Sequence, residues 1–172
     1  MRILQALLCL ALVGNAVGKP STTIYAQELV NRVIANHPEV VVVAMHVSPP
    51  KGGENVIIAS NIGRIGKRAD ADDLKVIQTG APNLAVNKAG DRFEAELVLK
   101  DANSRSIGAL GVVFPYMKGQ DTAPLQAGAK TVRIELSRRI TNADNLLQPY
   151  PFDGDSDISP DGHSSSSIRN AN

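Results

Sequence analysis

Arg92-Phe93-Glu94-Ala95-Glu96-Leu97-Val98-Leu99-Lys100, Asp101-Ala102-Asn103-Ser104, then Ile107-Gly108-Ala109-Leu110-Gly111-Val112-Val113-Phe114 up to Tyr116: on this stretch the fold turns. The first arm alternates polar and apolar side chains, the pattern of a half-buried strand. The four polar and small residues after it turn the chain. The second arm returns as a buried strand, so the whole predicts a long antiparallel hairpin. Two glycines interrupt that second arm. Glycine weakens a strand, so each marks a bend or a place where something lies close to the backbone.

Upstream of the hairpin, Ala26, Leu29, Val30, Val33 and Ile34 recur at helical spacing. Thr22 or Thr23 is the expected cap of this helix, and Asn36-His37-Pro38 its stop. Val40 to Val47 is a β-branched run, read as the first strand. Pro49-Pro50-Lys51-Gly52-Gly53 turns it into a second strand, Asn55 to Ser60. A loop, residues 61–68, precedes a short helix capped by Asp70, carrying Leu74, Val76 and Ile77 and ended by Gly80. Leu84 to Asn87 is a short third strand, and the hairpin supplies the fourth and fifth. A last helix starts at Asp121 or Thr122, tolerates Pro124 in its first turn, and turns Leu125, Ala129, Val132, Leu136 and Ile140 inward. The reading is an α+β domain over residues 22–140: a five-stranded antiparallel sheet, an N-terminal helix, a crossover helix after the second strand and a C-terminal helix.

The flanks differ in composition. Arg2, the apolar stretch Ile3 to Val13 and the small residues Ala16-Val17-Gly18 have the form of a secretory signal peptide over residues 1–18. The apolar run is shorter than the roughly 20 residues a membrane span needs, so no span is expected after cleavage. Cleavage removes Cys9, the single cysteine, and one base but no acid. The product is expected to be periplasmic or secreted, free of disulfides and near neutral in charge. Near neutrality speaks against a nucleic-acid partner. Residues 141–172 are polar and end in Ser164-Ser165-Ser166-Ser167, which predicts a disordered tail. Asp153, Asp155 and Asp157 imitate a calcium loop, but Ile158 stands where its glycine belongs and Ser164 where its glutamate belongs.

The element order, with three stretches of sequence, resembles the Cache domains, extracytoplasmic relatives of PAS sensors. The stretches are Ala59-Ser60-Asn61 leading to Ile65-Gly66-Lys67, the helix end at Thr79-Gly80, and Leu99 to Val112. The likeness covers nearly all of residues 24–140 and implies a single-domain periplasmic form. It also implies a small-molecule pocket between the sheet and the segment after its second strand, with carboxylates, amino acids or amines as ligands. Family members normally signal to a cytoplasmic module; no output domain or following membrane helix is read here. The family's amino-acid pattern, with its tryptophan, is missing: the chain has no tryptophan.

Arg64, Lys67 and Arg68 precede a helix N-terminus, whose free N–H groups and dipole favour an anion. Arg64 and Lys67 are the expected anion ligands; the alternative is that these charges answer Asp70, Asp72 and Asp73 or water. His46 shares a strand face with Val40, Val42 and Ala44, away from Met45, and is either a ligand contact or a satisfied buried side chain. Asn61 is an amide ligand or a turn residue, as is Asn87. Tyr116, on the face of Leu110, Val112 and Phe114, closes a pocket or sits at an edge with its hydroxyl in water. Glu94, Glu96 and Arg92 share a face that reads as an exposed sheet surface of mixed charge. The glycines of Ile62-Gly63-Arg64-Ile65-Gly66-Lys67 resemble a KH-type loop, but that loop belongs between two helices.

No nucleophile elbow, zinc-protease motif, phosphate loop or cysteine pair occurs. No enzymatic activity, cofactor or metal is therefore expected. The expected function is sensor-like binding of a small polar or anionic metabolite. The alternatives are a periplasmic protein that docks a partner without a pocket, and a haem-binding variant of the scaffold. The oligomeric state is left open.

Overall fold

The computed structural model describes residues 23–48 and 52–152. The signal-peptide segment, the calcium-loop imitation and Ser164 to Ser167 lie outside these. In chain order the elements are β1 (Thr23–Ile24), α1 (Tyr25–Asn36), β2 (Val42–Val47), β3 (Val56–Ser60), α2 (Ala71–Thr79), β4 (Asn83–Val86), β5 (Arg92–Lys100), β6 (Ser106–Pro115), α3 (Ala123–Arg139), α4 (Ala143–Leu146) and β7 (Pro149–Tyr150). Strands β3-β2-β6-β5-β4 form a five-stranded sheet in that order, antiparallel throughout.

The two arms of the hairpin pair from Arg92↔Pro115 to Lys100↔Ser106. Its turn is organised by Asp101, whose carboxylate accepts from Asn103 N, Arg105 N and Arg105 Nε at 2.9, 3.0 and 2.6 Å. Burial pushes the Asp101 carboxyl up, but these hydrogen bonds outweigh it and hold the group below its ordinary value.

Because side chains alternate along a strand, the sheet has two distinct faces. One carries Val43, Met45, Phe93, Ala95, Leu97, Leu99, Leu110, Val112 and Phe114 into the core with Ala26, Leu29, Val30 and Val33 of α1 and Ala129, Val132 and Leu136 of α3. Gly128 explains how closely α3 approaches: a Cβ there would come within 3.3 Å of the Phe114 ring. The other face carries Val42, Ala44, His46, Glu94, Glu96, Gly111 and Val113 toward the crossover after β3. Helix α2 lies over β5 and β6.

Three expectations need correction. Val40 belongs to the core and Val41 is exposed, since both precede β2 and its alternation begins only at Val42. Thr23 does not cap α1, being strand, and Thr22 lies outside the described residues; the first helical N–H, Tyr25 N, donates to Gln148 O at 2.9 Å. Disorder does not begin at residue 141. Asn142 caps α4, accepting from Asn145 N, and Leu146 is fully buried. Beyond it β7 pairs with β1. Tyr25, Tyr150 and Phe152 form an aromatic cluster with centroids 4.9–5.8 Å apart. Arg32 Nη2 donates to Tyr150 Oη at 2.6 Å. Burying one leucine is worth about 1.5–3 kcal/mol; with an aromatic cluster it offsets the ordering of a short polar segment. Among the described residues, no helix is long and apolar enough to cross a membrane.

Candidate functional site

The crossover is pinned to the sheet edge before it reaches α2. Gly66 N donates to Ile57 O, Ile57 N to Lys67 O and Ala69 N to Asn55 O, at 2.8, 2.9 and 2.8 Å. Residues 66–69 thus run along β3 as an extra edge. Asp70 then starts α2 with a reciprocal capping box: its Oδ1 accepts from Asp72 N and Asp73 N, while Asp73 Oδ2 accepts from Asp70 N at 3.0 Å. Gly80, left-handed at φ 69°, ends the helix.

Between this roof and the sheet is a cleft of about 300 Å³. Its floor is Val42, Ala44, His46, Gly111 and Val113. Charged walls rise from both sides: Arg64, Lys67, Asp70 and Asp73 from the crossover, Arg92, Glu94 and Glu96 from β5. The inner side of α2 is formed by Asp73 and Val76, both buried, whereas Leu74 is 42% exposed. The helix is therefore turned so that a carboxylate faces the sheet.

His46, Arg64 and Lys67 all line the cleft. Asn61 and Tyr116 do not. The Asn61 amide is used by the backbone: Oδ1 accepts from Val43 N at 2.9 Å and Nδ2 donates to Val41 O at 3.0 Å, which continues the β2–β3 pairing. Tyr116 packs against the core on the far face. Asn87 organises the β4–β5 turn through three backbone N–H groups. Arg68 is paired with Glu54 at 2.6 Å outside the cleft. Met45, on the sheet face opposite His46, is in the core, and Met117 is exposed.

The helix N-terminus does not wait for an external anion, because the Asp70 and Asp73 carboxylates already accept from it. The acids missed in sequence gather here. Carboxylate oxygens of Asp70, Asp73 and Glu96 lie within 4.8 Å of one another. Asn83 Nδ2 donates to Glu96 Oε2 at 3.1 Å. His46 Nδ1 stands 3.2 Å from Asp73 Oδ2, but the angle is too poor for a hydrogen bond. Burial pushes the Asp73 and Glu96 carboxyls up and the His46 imidazole down, each toward its neutral form. The one local signal for Asp73 was its spacing: it sits three and four residues before Val76 and Ile77, on their helical face.

In contrast, Arg64, Lys67 and Arg92 form no ion pair with any described residue. Arg64 also holds a left-handed backbone, φ 64°, where a non-glycine residue is strained.

Comparison with known proteins finds no matching family model and no matching curated protein. Solved structures do match. A crystal structure described as a GAF sensor protein from Burkholderia vietnamiensis aligns with TM-score 0.51 at 14% identity, over 67% of this chain and 74% of that one. The GAF domain region of a membrane protein from Geobacter sulfurreducens aligns at 0.49 with 12% identity, covering 65% and 87%. The Agobacterium tumefaciens repressor BlcR aligns at 0.49 with 13% identity, covering 68% and 67%. The protein thus has a fold similar to that of the GAF domain.

Proposed function

We propose that the protein is an exported, sensor-like module that binds a small anionic metabolite, and that it binds rather than transforms it. The observation that carries this reading is the cleft of about 300 Å³ under the crossover, lined by Arg64, Lys67 and Arg92, which form no ion pair with any described residue. That volume is at the lower end of ligand pockets. Arginine offers a carboxylate a two-pronged donor. Strain at Arg64 fits a residue retained for its side chain, because glycine would relieve the backbone at that φ. The GAF-like fold and the Cache-like motifs support a sensing role, and the form of residues 1–18 supports export to the periplasm.

A thermal-shift screen of small carboxylates, amino acids and amines tests the reading. A ligand at one hundred times its Kd stabilises the folded state by about 2.7 kcal/mol, several degrees of melting temperature in a domain of this size. The Arg64→Ala variant should melt like the parent and lose the response. Silence from every compound would sink the proposal.

A second reading, docking of a protein partner, draws on apolar residues of the crossover that do not line the cleft, Ile65 and Leu74, which are 59% and 42% exposed. Capture of a partner abolished by Ile65→Ser, but not by removing residues 153–172, would favour it.

A further inference from the structure

The acid corner of the cleft is built from three rigid elements. Asp70 and Asp73 are fixed by their own capping box on α2, Glu96 stands on β5 and His46 on β2. Three carboxylates within 4.8 Å of one another repel unless something shared lies between them. The capping bonds use Asp70 Oδ1 and Asp73 Oδ2, and Asn83 takes Glu96 Oε2. One oxygen on each carboxylate therefore accepts nothing from the described residues.

His46 supplies the independent observation. Its side chain is 8% exposed, and its Nδ1 is buried without a hydrogen-bond partner, 3.2 Å from Asp73 Oδ2 at the edge of the acid corner. A buried polar nitrogen is rarely left unsatisfied in a native protein.

We propose that Asp70, Asp73, Glu96 and His46 Nδ1 bind one divalent cation of the zinc or manganese kind. Carboxylate oxygens suit manganese and an imidazole nitrogen suits zinc, whereas calcium and magnesium prefer oxygen alone. Ligands on opposite sides of such an ion stand roughly 4.2 Å apart, about 2.1 Å from it each. Neighbouring ligands stand closer, roughly 3.0–3.4 Å, so the three carboxylates would draw together around the ion. An ion held by the other oxygens would leave both capping hydrogen bonds intact.

The test uses the whole protein stripped with a chelator. Zn²⁺ is titrated by calorimetry, and Mn²⁺ by loss of its free paramagnetic signal. One ion per chain is expected. Asp70→Ser keeps an N-cap yet removes a carboxylate, and Glu96→Gln keeps the shape of its side chain. Loss of an outer partner of a metal ligand already costs roughly 10–100-fold in affinity, so each variant should weaken binding at least that much. His46→Gln should weaken Zn²⁺ more than Mn²⁺. Glu94→Gln, in the cleft but outside the set, should bind like the parent. No stoichiometric binding of either ion at millimolar concentration overturns the proposal. So does binding that Asp70→Ser and Glu96→Gln leave unchanged. The inference stands apart from the metabolite reading: a saturating ion titration beside a silent metabolite screen supports one and removes the other.

Discussion

Gly108 of β6 lies directly against the His46 carbonyl of β2; a side chain at this glycine would overlap that oxygen. At the same place β2 changes register against β3, between Met45 and His46. The glycine thus allows the two strands to close where the bulge sets His46 under the roof. Gly111 is different: a Cβ there meets only Ala44, at 3.9 Å or more.

Gly108→Ala should therefore cost at least about 1–3 kcal/mol, the range for overpacking a tight interior. Gly111→Ala should stay within about 1 kcal/mol and merely narrow the cleft floor. Urea denaturation of both variants checks the contrast. Equal losses would mean that backbone contact is not what selects glycine at position 108.

The residues after α3 should contribute to stability up to residue 152 and little beyond. Leu146→Ala should cost about 2–5 kcal/mol, as for other fully buried leucines. Truncation after residue 152 should leave the melting temperature unchanged, and truncation after residue 140 should lower it sharply. A protein ending at residue 140 that melts like the parent would contradict the packing of α4 and β7.

Helix α2 depends on its first residue. Asp70→Ala should cost about 0.5–2 kcal/mol, whereas Asp70→Ser should restore most of that. Thermal melts of the pair separate the cap from the charge.

His37 links the end of α1 to α3. Its Nε2 is 2.9 Å from Glu135 Oε2 and its Nδ1 3.3 Å from Glu39 Oε1. The hydrogen bond to Glu135, then that to Glu39, raises the imidazole above its ordinary value despite partial burial. A raised folded-state pKa means that the contribution is fully present below about pH 6.5, the unfolded value. It is lost as pH rises through the folded value. Glu135→Gln should flatten that part of the stability profile above about pH 6.5. A histidine titration by NMR should place His37 above an unfolded peptide's histidine; a value at or below it would refute the link.

The hairpin, the capped α2 and the apolar stripe of α3 were legible in sequence because each rests on local chemistry. Alternation gave β5 its faces, Asp70 and Gly80 bracketed α2, and Ala129, Val132, Leu136 and Ile140 recur with the helical turn. What escaped depends on distant partners. Nothing near Asn142 or Leu146 announces that β1 will pair with β7. The Asn61 amide is claimed by Val43 of β2 and by Val41 just before that strand, 18 and 20 positions away. Of the residues lining the cleft, His46, Arg64 and Lys67 stand out in the sequence. The sequence shows Asp70 as a helix cap, Asp73 as a partner for nearby bases and Glu96 as part of an exposed sheet face, because Glu96 and Asp73 meet only when α2 is laid across β5.

The pairing of Thr23 with Tyr150 and of Ile24 with Pro149 fastens the first and last described elements side by side. Whatever precedes and whatever follows this domain therefore departs from a single corner. A pull applied between those two segments would be borne first by that two-rung ladder, which would unzip before the five-stranded sheet felt the load. A short peptide bridge between the same points would close the chain into a ring without bending the fold.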